Sequence, residues 1–118
     1  MKNTNNDTLK CDATTFRAIH DALETLGGSW KLPILLSLTI GTKRFRQIAK
    51  EVEGISDKML SKELKNLESN HFIKRTVHNT FPPTVEYTIT EHAHTLYEVM
   101  VALRNWGVLH RKKIVGEY

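Results

Sequence analysis

Lys58, Lys62 and Lys65 recur at steps of four and three residues, the interval that brings side chains to one face of a helix. A row of ammonium groups attracts a polyanion, and a helix that carries one can lie in the major groove of DNA. Leu60, Leu64 and Leu67 share the same stretch. At about 100° per residue these leucines gather into one stripe, and the lysines fall roughly 140–200° from Leu60. Asp57, Glu63 and Glu68 lie on the flanks, so the exposed face segregates its charges, where an ordinary solvated helix would mix signs to form intrahelical pairs. Ser56, Asp57, Lys58, Ser61 and Lys62 are the expected base readers, and Lys65 is expected to meet phosphate. Glu63 is expected to matter little for such binding. The plainer alternative is a core-packing helix with a lysine-rich outside.

Other chemistry has less support. His20, His71, His78, His92, His94 and His110 include no pair at three- or four-residue spacing, and Cys11 is the only thiol, so no metal site or cofactor is expected. Gly27-Gly28-Ser29-Trp30-Lys31 has neither the preceding strand nor the spacing of a phosphate-binding loop. No nucleophile elbow is present, and no enzymatic activity is expected. Cys11 is a candidate redox sensor: Lys10 favours its thiolate and Asp12 opposes it. The alternative is an exposed thiol without a role.

The charge distribution agrees with a polyanion partner. The 118 residues carry 17 basic and 13 acidic groups, net +4. Residues 41–80 hold nine basic and five acidic groups, which accounts for the whole excess. With 40% apolar and 25% charged residues, the chain has the composition of one soluble globular domain. No apolar run is long enough to span a membrane, and the polar N-terminus lacks a signal region, so a cytoplasmic location is expected.

The elements that position these groups follow from periodicity. Residues 1–12 read as a flexible arm, and residues 13–118 as a single domain. Thr14 or Thr15 caps a helix over about 14–26 that carries Phe16, Ile19 and Leu23, and Gly27-Gly28 ends it in a left-handed turn. Ser29 caps a second helix, Trp30 to Thr39. A third spans Arg44 or Phe45 to Val52, and after a glycine turn Ser56 caps the lysine-bearing helix to Ser69. Ile73, Arg75 and Val77, then Val85, Tyr87 and Ile89, alternate as strands of a hairpin with Pro82-Pro83 at its tip. Such a hairpin behind a recognition helix forms a wing, and Arg75, His78, Asn79 and Thr80 are its expected DNA contacts. Lys43 and Arg44 complete the expected DNA-binding set. The alternative for the wing cations Lys74 and Arg75 is protection of an edge strand. A last helix over about 91–113 presents Leu96, Tyr97, Met100, Leu103, Trp106 and His110. The fold class is mainly α with a small β-hairpin, a winged helix-turn-helix with a long C-terminal helix.

Five segments in order then carry a family resemblance: Gly27 to Lys31, GTKRFRQI from Gly41, GISDKMLSKELKNLE from Gly54, PPTVEYTIT from Pro82, and RNWG from Arg104. Together they resemble the HxlR-type winged helix-turn-helix transcriptional regulators of bacteria, relatives of the MarR group, over roughly residues 17 to 110. The resemblance implies a homodimer on double-stranded operator DNA, joined through its first and last helices. Phe16, Ile19, Leu23, Leu96, Tyr97, Met100, Leu103, Trp106 and His110 are then the expected interface, although Tyr97 and Trp106 could instead belong to the protomer's own core. Many relatives carry a Cys-Pro pair shortly before the Gly-Gly; Arg17 and Ala18 stand there in this chain, so a redox role does not transfer by position. The family's usual glycine is Ala93 here. Control by thiol oxidation or by a small ligand is compatible with the pattern, and the alternative function is a winged-helix protein–protein adaptor.

Overall fold

The computed structural model describes residues 8–116. Of the arm expected over 1–12, residues 1–7 lie outside the described residues, and residues 8–12 contain no helix or strand. The elements run α1 (Ala13–Leu26), α2 (Lys31–Leu38), α3 (Phe45–Glu51), α4 (Asp57–Ser69), β1 (Ile73–His78), β2 (Thr84–Ile89), α5 (Glu91–His94) and α6 (Tyr97–Val115).

The core forms where α2, α3, α4 and the hairpin meet. Ile34, Leu35 and Leu38 of α2, Ile48 of α3, and Leu60, Leu64 and Leu67 of α4 are all buried, joined by Phe72, Ile73 and Ala93. The leucine stripe of α4 thus faces inward along its length. Lys31 of α2 reaches Glu63 of α4 at 2.8 Å, a largely covered ion pair that ties the two helices.

Local chemistry sets the helix ends, in places differently from expectation. Asp12, rather than Thr14 or Thr15, caps α1, its carboxylate accepting the Thr15 amide at 2.9 Å. The left-handed residue after α1 is Gly28 (φ 88°), whereas Gly27 is extended. Ser29 does not cap α2; Trp30 occupies that position without a side-chain bond. Ser56 does cap α4, accepting from the Met59 amide at 3.1 Å. Gly54 (φ 90°) makes the turn between α3 and α4, a conformation that any other residue would adopt only with strain.

After α4 the chain closes a Schellman turn: the His71 amide donates to the Glu68 carbonyl at 3.0 Å and the Phe72 amide to the Leu67 carbonyl at 2.9 Å. His71 takes the left-handed position (φ 65°) where glycine is usual. The turn delivers Phe72 into the core and starts β1.

β1 and β2 pair antiparallel with Arg75 opposite Tyr87 and His78 opposite Thr84. Lys43 adds a short third edge: its amide donates to the Tyr87 carbonyl at 3.0 Å, and the Tyr87 amide returns a bond of 2.8 Å. The expected single helix over 91–113 is divided. Thr95 and Leu96 donate their amides to the carbonyls of His92 and Ala93, a tighter i→i−3 pattern, and the Thr95 hydroxyl also donates to His92. Ala93 and Leu96 dock on the core at this break, and α6 departs from it.

Candidate nucleic-acid interface

The outer face of α4 is built on its inner one. With the leucine stripe buried, Lys58, Ser61, Lys62, Lys65 and Ser69 line a shallow groove together with Lys31, Glu63 and Asn66. Lys58, Lys62 and Lys65 are exposed, and among the described residues none of the three has an ion-pair partner. Three uncompensated cations on one rigid face are suited to phosphate. The N-terminal end differs from the expectation of free base-reading groups. The Ser56 hydroxyl serves the helix cap, and the Asp57 carboxylate receives Arg46 of α3 at 2.6 Å.

The wing extends this face. Arg75 of β1 shares a groove with Ser61, Lys65 and Glu68 of α4 and with Tyr87 of β2. Near the tip, Pro82 to Val85 form a cleft with Arg44 to Gln47 at the start of α3. Asn79 and Thr80 are exposed, and the Thr80 hydroxyl donates to the Pro82 carbonyl at 2.7 Å. His78 lies 2.7 Å from Glu86 across the hairpin, so its ring already has a carboxylate partner.

Lys43 is a correction. Expected on the DNA surface, it is only 9% exposed. Its ammonium pairs with Glu51 of α3 and lies 3.4 Å from the Ser37 hydroxyl of α2, which itself donates to Glu51 at 2.8 Å. The Lys43 ammonium and then the Ser37 hydroxyl hold the Glu51 carboxyl below its ordinary pKa. With its backbone bridged to Tyr87, Lys43 joins α2, α3 and the wing, and has no charge to offer outward.

Two surface residues escaped the sequence reading. Arg46 is exposed in the first turn of α3, but its bond to Asp57 spans the turn and has no local signature. Phe81 stands at the wing tip, and the only hint was an aromatic beside two prolines.

The expected interface residues fall into two groups. Phe16 (61% exposed), Ile19 and Leu23 (67%) of α1, and Tyr97, Leu103 and Trp106 (59%) of α6, are large apolar side chains left in solvent. Neither helix has a single buried residue in the protomer. Met100 is half-buried, and His110 stacks on Trp106 with ring centroids 4.8 Å apart. Leu96 is a second correction: it packs on the protomer's own core. Cys11 is exposed, one residue before the cap of α1.

A family model described as HxlR-like helix-turn-helix matches residues 25–114, which contain α2 through the larger part of α6. The chain belongs to the HxlR-like helix-turn-helix family. The chain is 36% identical over 100 residues to the uncharacterized HTH-type transcriptional regulator YtcD of Bacillus subtilis, covering 85% of this chain and 79% of the relative. A crystal structure of YtcD superposes with a TM-score of 0.73 at 38% identity, over 78% of this chain and 94% of that one. The redox regulator HypR in its oxidized form superposes with a TM-score of 0.72 at 31% identity, over 76% of this chain and 93% of that one. The fold is that of the winged helix-turn-helix regulators, with the hairpin and the long last helix in place. Among the described residues, no helix is long and apolar enough to cross a membrane.

Proposed function

We propose that this HxlR-like protein is a homodimeric, sequence-specific DNA-binding transcriptional regulator. Each protomer places α4 in a major groove and the wing on the adjacent backbone or minor groove. The observation that carries this reading is the unpaired row Lys58, Lys62 and Lys65 opposite the buried Leu60, Leu64 and Leu67. Arg75 extends the cationic face onto the wing, and Arg44 is exposed in the cleft with Pro82 to Val85. Homodimerisation is supported by the bare apolar sides of α1 and α6, which need a cover of matching chemistry. A second copy of the same two helices supplies one with two-fold symmetry.

The test is a titration against duplexes enriched by the protein from a randomised library, at two salt concentrations and with scrambled competitor. Tight binding that resists competitor and weakens steeply with salt is expected. A flat salt response, or no enrichment, would favour an adaptor that uses the same surface for a protein. The accessible Cys11 thiol supports an oxidant input of the kind named for HypR. If Cys11→Ser releases DNA under oxidant as readily as the wild type, that input lies elsewhere.

A further inference from the structure

Phe81 is a group that the reading above leaves unused. It is fully exposed, bare on every side at the far end of the wing. Most other exposed large apolar residues lie on α1 and α6, where a second protomer would cover them. Phe81 lies instead among groups of the DNA face. Asn79 and Thr80 precede it, and Arg44 and Arg46 share a cleft with Pro82 to Val85 just after it. Arg46 in turn holds Asp57 in the first turn of α4. The wing tip, the start of α3 and the start of α4 therefore run along one side of the molecule.

The tip is stiff. Pro82 and Pro83 fix two backbone angles. The Thr80 hydroxyl donates to the Pro82 carbonyl at 2.7 Å and lies 3.4 Å from the Thr84 hydroxyl. A pre-ordered tip loses little entropy on docking. When a helix lies in the major groove, the wing beside it meets the neighbouring minor groove, where proteins of several folds insert Phe, Leu, Ile or Met between base steps.

We propose that Phe81 is an apolar wedge that enters the minor groove and partly unstacks one base step, kinking the operator. The inference rests on the DNA-binding reading and deepens it. It assigns the wing a ligand of stated chemistry: duplex DNA with an easily unstacked pyrimidine–purine step under the tip. Arg44, which has no ion-pair partner among the described residues, neutralises a phosphate that the bend draws toward α3. Specificity at that step comes from the energy of deforming the DNA, with no hydrogen bond to a base.

The experiment uses the full chain and a duplex that the wild type has selected from a randomised library, labelled at both ends for energy transfer. The wild type is expected to bend this duplex by about 20° or more. Phe81→Ala is expected to lose the bend and roughly ten-fold in affinity, the scale of one base contact. Its salt slope should fall by about one, because the phosphate that the bend brings to Arg44 is released. Phe81→Leu should keep most of the bend, and Phe81→Lys should lose it despite the added charge. The ring makes no contact within the protomer, so all three variants should melt as the wild type does. A selected duplex that the wild type binds without bending overturns the wedge alone, as does a Phe81→Ala complex with unaltered bend and affinity. Failure of the wild type to select any sequence overturns the DNA reading, and the wedge with it.

Discussion

Lys43 and Lys62 share a side chain, and their surroundings give them different work. Lys62 is solvated, unpaired and opposite the leucine stripe, so Lys62→Ala, and Lys58→Ala alike, should weaken operator binding while leaving the fold intact. Lys65→Ala should lower the salt slope by about one. Titrations at several salt concentrations would show this, and a Lys65→Ala slope equal to that of the wild type would count against phosphate contact. Glu63, expected from the sequence to matter little for DNA binding, is held by Lys31 at 2.8 Å in a largely covered pair. Glu63→Ala should therefore cost stability, about 1–3 kcal/mol by denaturant unfolding, because it strands a largely covered ammonium. At Lys43 the charge serves the scaffold through Glu51. The Glu51 carboxyl has a lowered pKa in the folded state, so its contribution is present in full above the ordinary carboxylate range and fades as pH falls through the folded value. The melting-temperature gap between wild type and Glu51→Gln should be widest near neutral pH and should close in acid. A gap that does not change with pH would mean that the pair contributes nothing to folding.

At the scale of elements, legibility followed locality. α4 was readable from end to end because its cap, its stripe and its cationic row all lie within fourteen residues of one helix. The hairpin was readable by its alternation, to within one residue at the start of β2. The break between α5 and α6 was not, because the apolar spacing continues across it. Only the docking of Ala93 and Leu96 and the Thr95 hydroxyl bond reveal the tightened turn. Lys43 was misplaced for a related reason: in a basic run its partners, Ser37 and Glu51, come from two other elements. The first and last helices were expected to join the dimer, and the structure adds that neither α1 nor α6 buries a residue at home. Leu23→Asp or Leu103→Asp should therefore leave the protomer folded and turn a dimer into a monomer, with unchanged circular dichroism and a halved mass by sedimentation. Unfolding of both variants would mean that these faces are part of the protomer's own stability.

At the scale of the whole molecule, the protomer is long for its size. Its radius of gyration is 17.0 Å and its extents are 55 × 36 × 28 Å. A compact chain of this length would have a radius of about 13.5 Å. The excess arises because α1 and α6 project from the winged core without cover, and their pairing with a second copy would turn two elongated units into one rigid dimer. The connection from the dimer helices to each α4 then runs through packed secondary structure: α6 into the tight turn at Ala93, and α2 into α4 through the shared core and the Lys31–Glu63 pair. No flexible linker lies between them, so the two α4 helices should keep one separation, close to a helical repeat of about 34 Å or a multiple of it. This leads to a test on the operator itself. Inserting half a turn between half-sites, about 5 bp, rotates one of them to the wrong side of the duplex. Inserting a full turn restores the side but adds about 34 Å, which a rigid dimer cannot span. Both insertions should lower affinity toward that of an isolated half-site, roughly 100-fold or more, since simultaneous engagement is lost. Recovery of tight binding with the full-turn insertion would mean that the dimer helices hinge relative to the winged core, and that α4 separation is adjusted on the DNA.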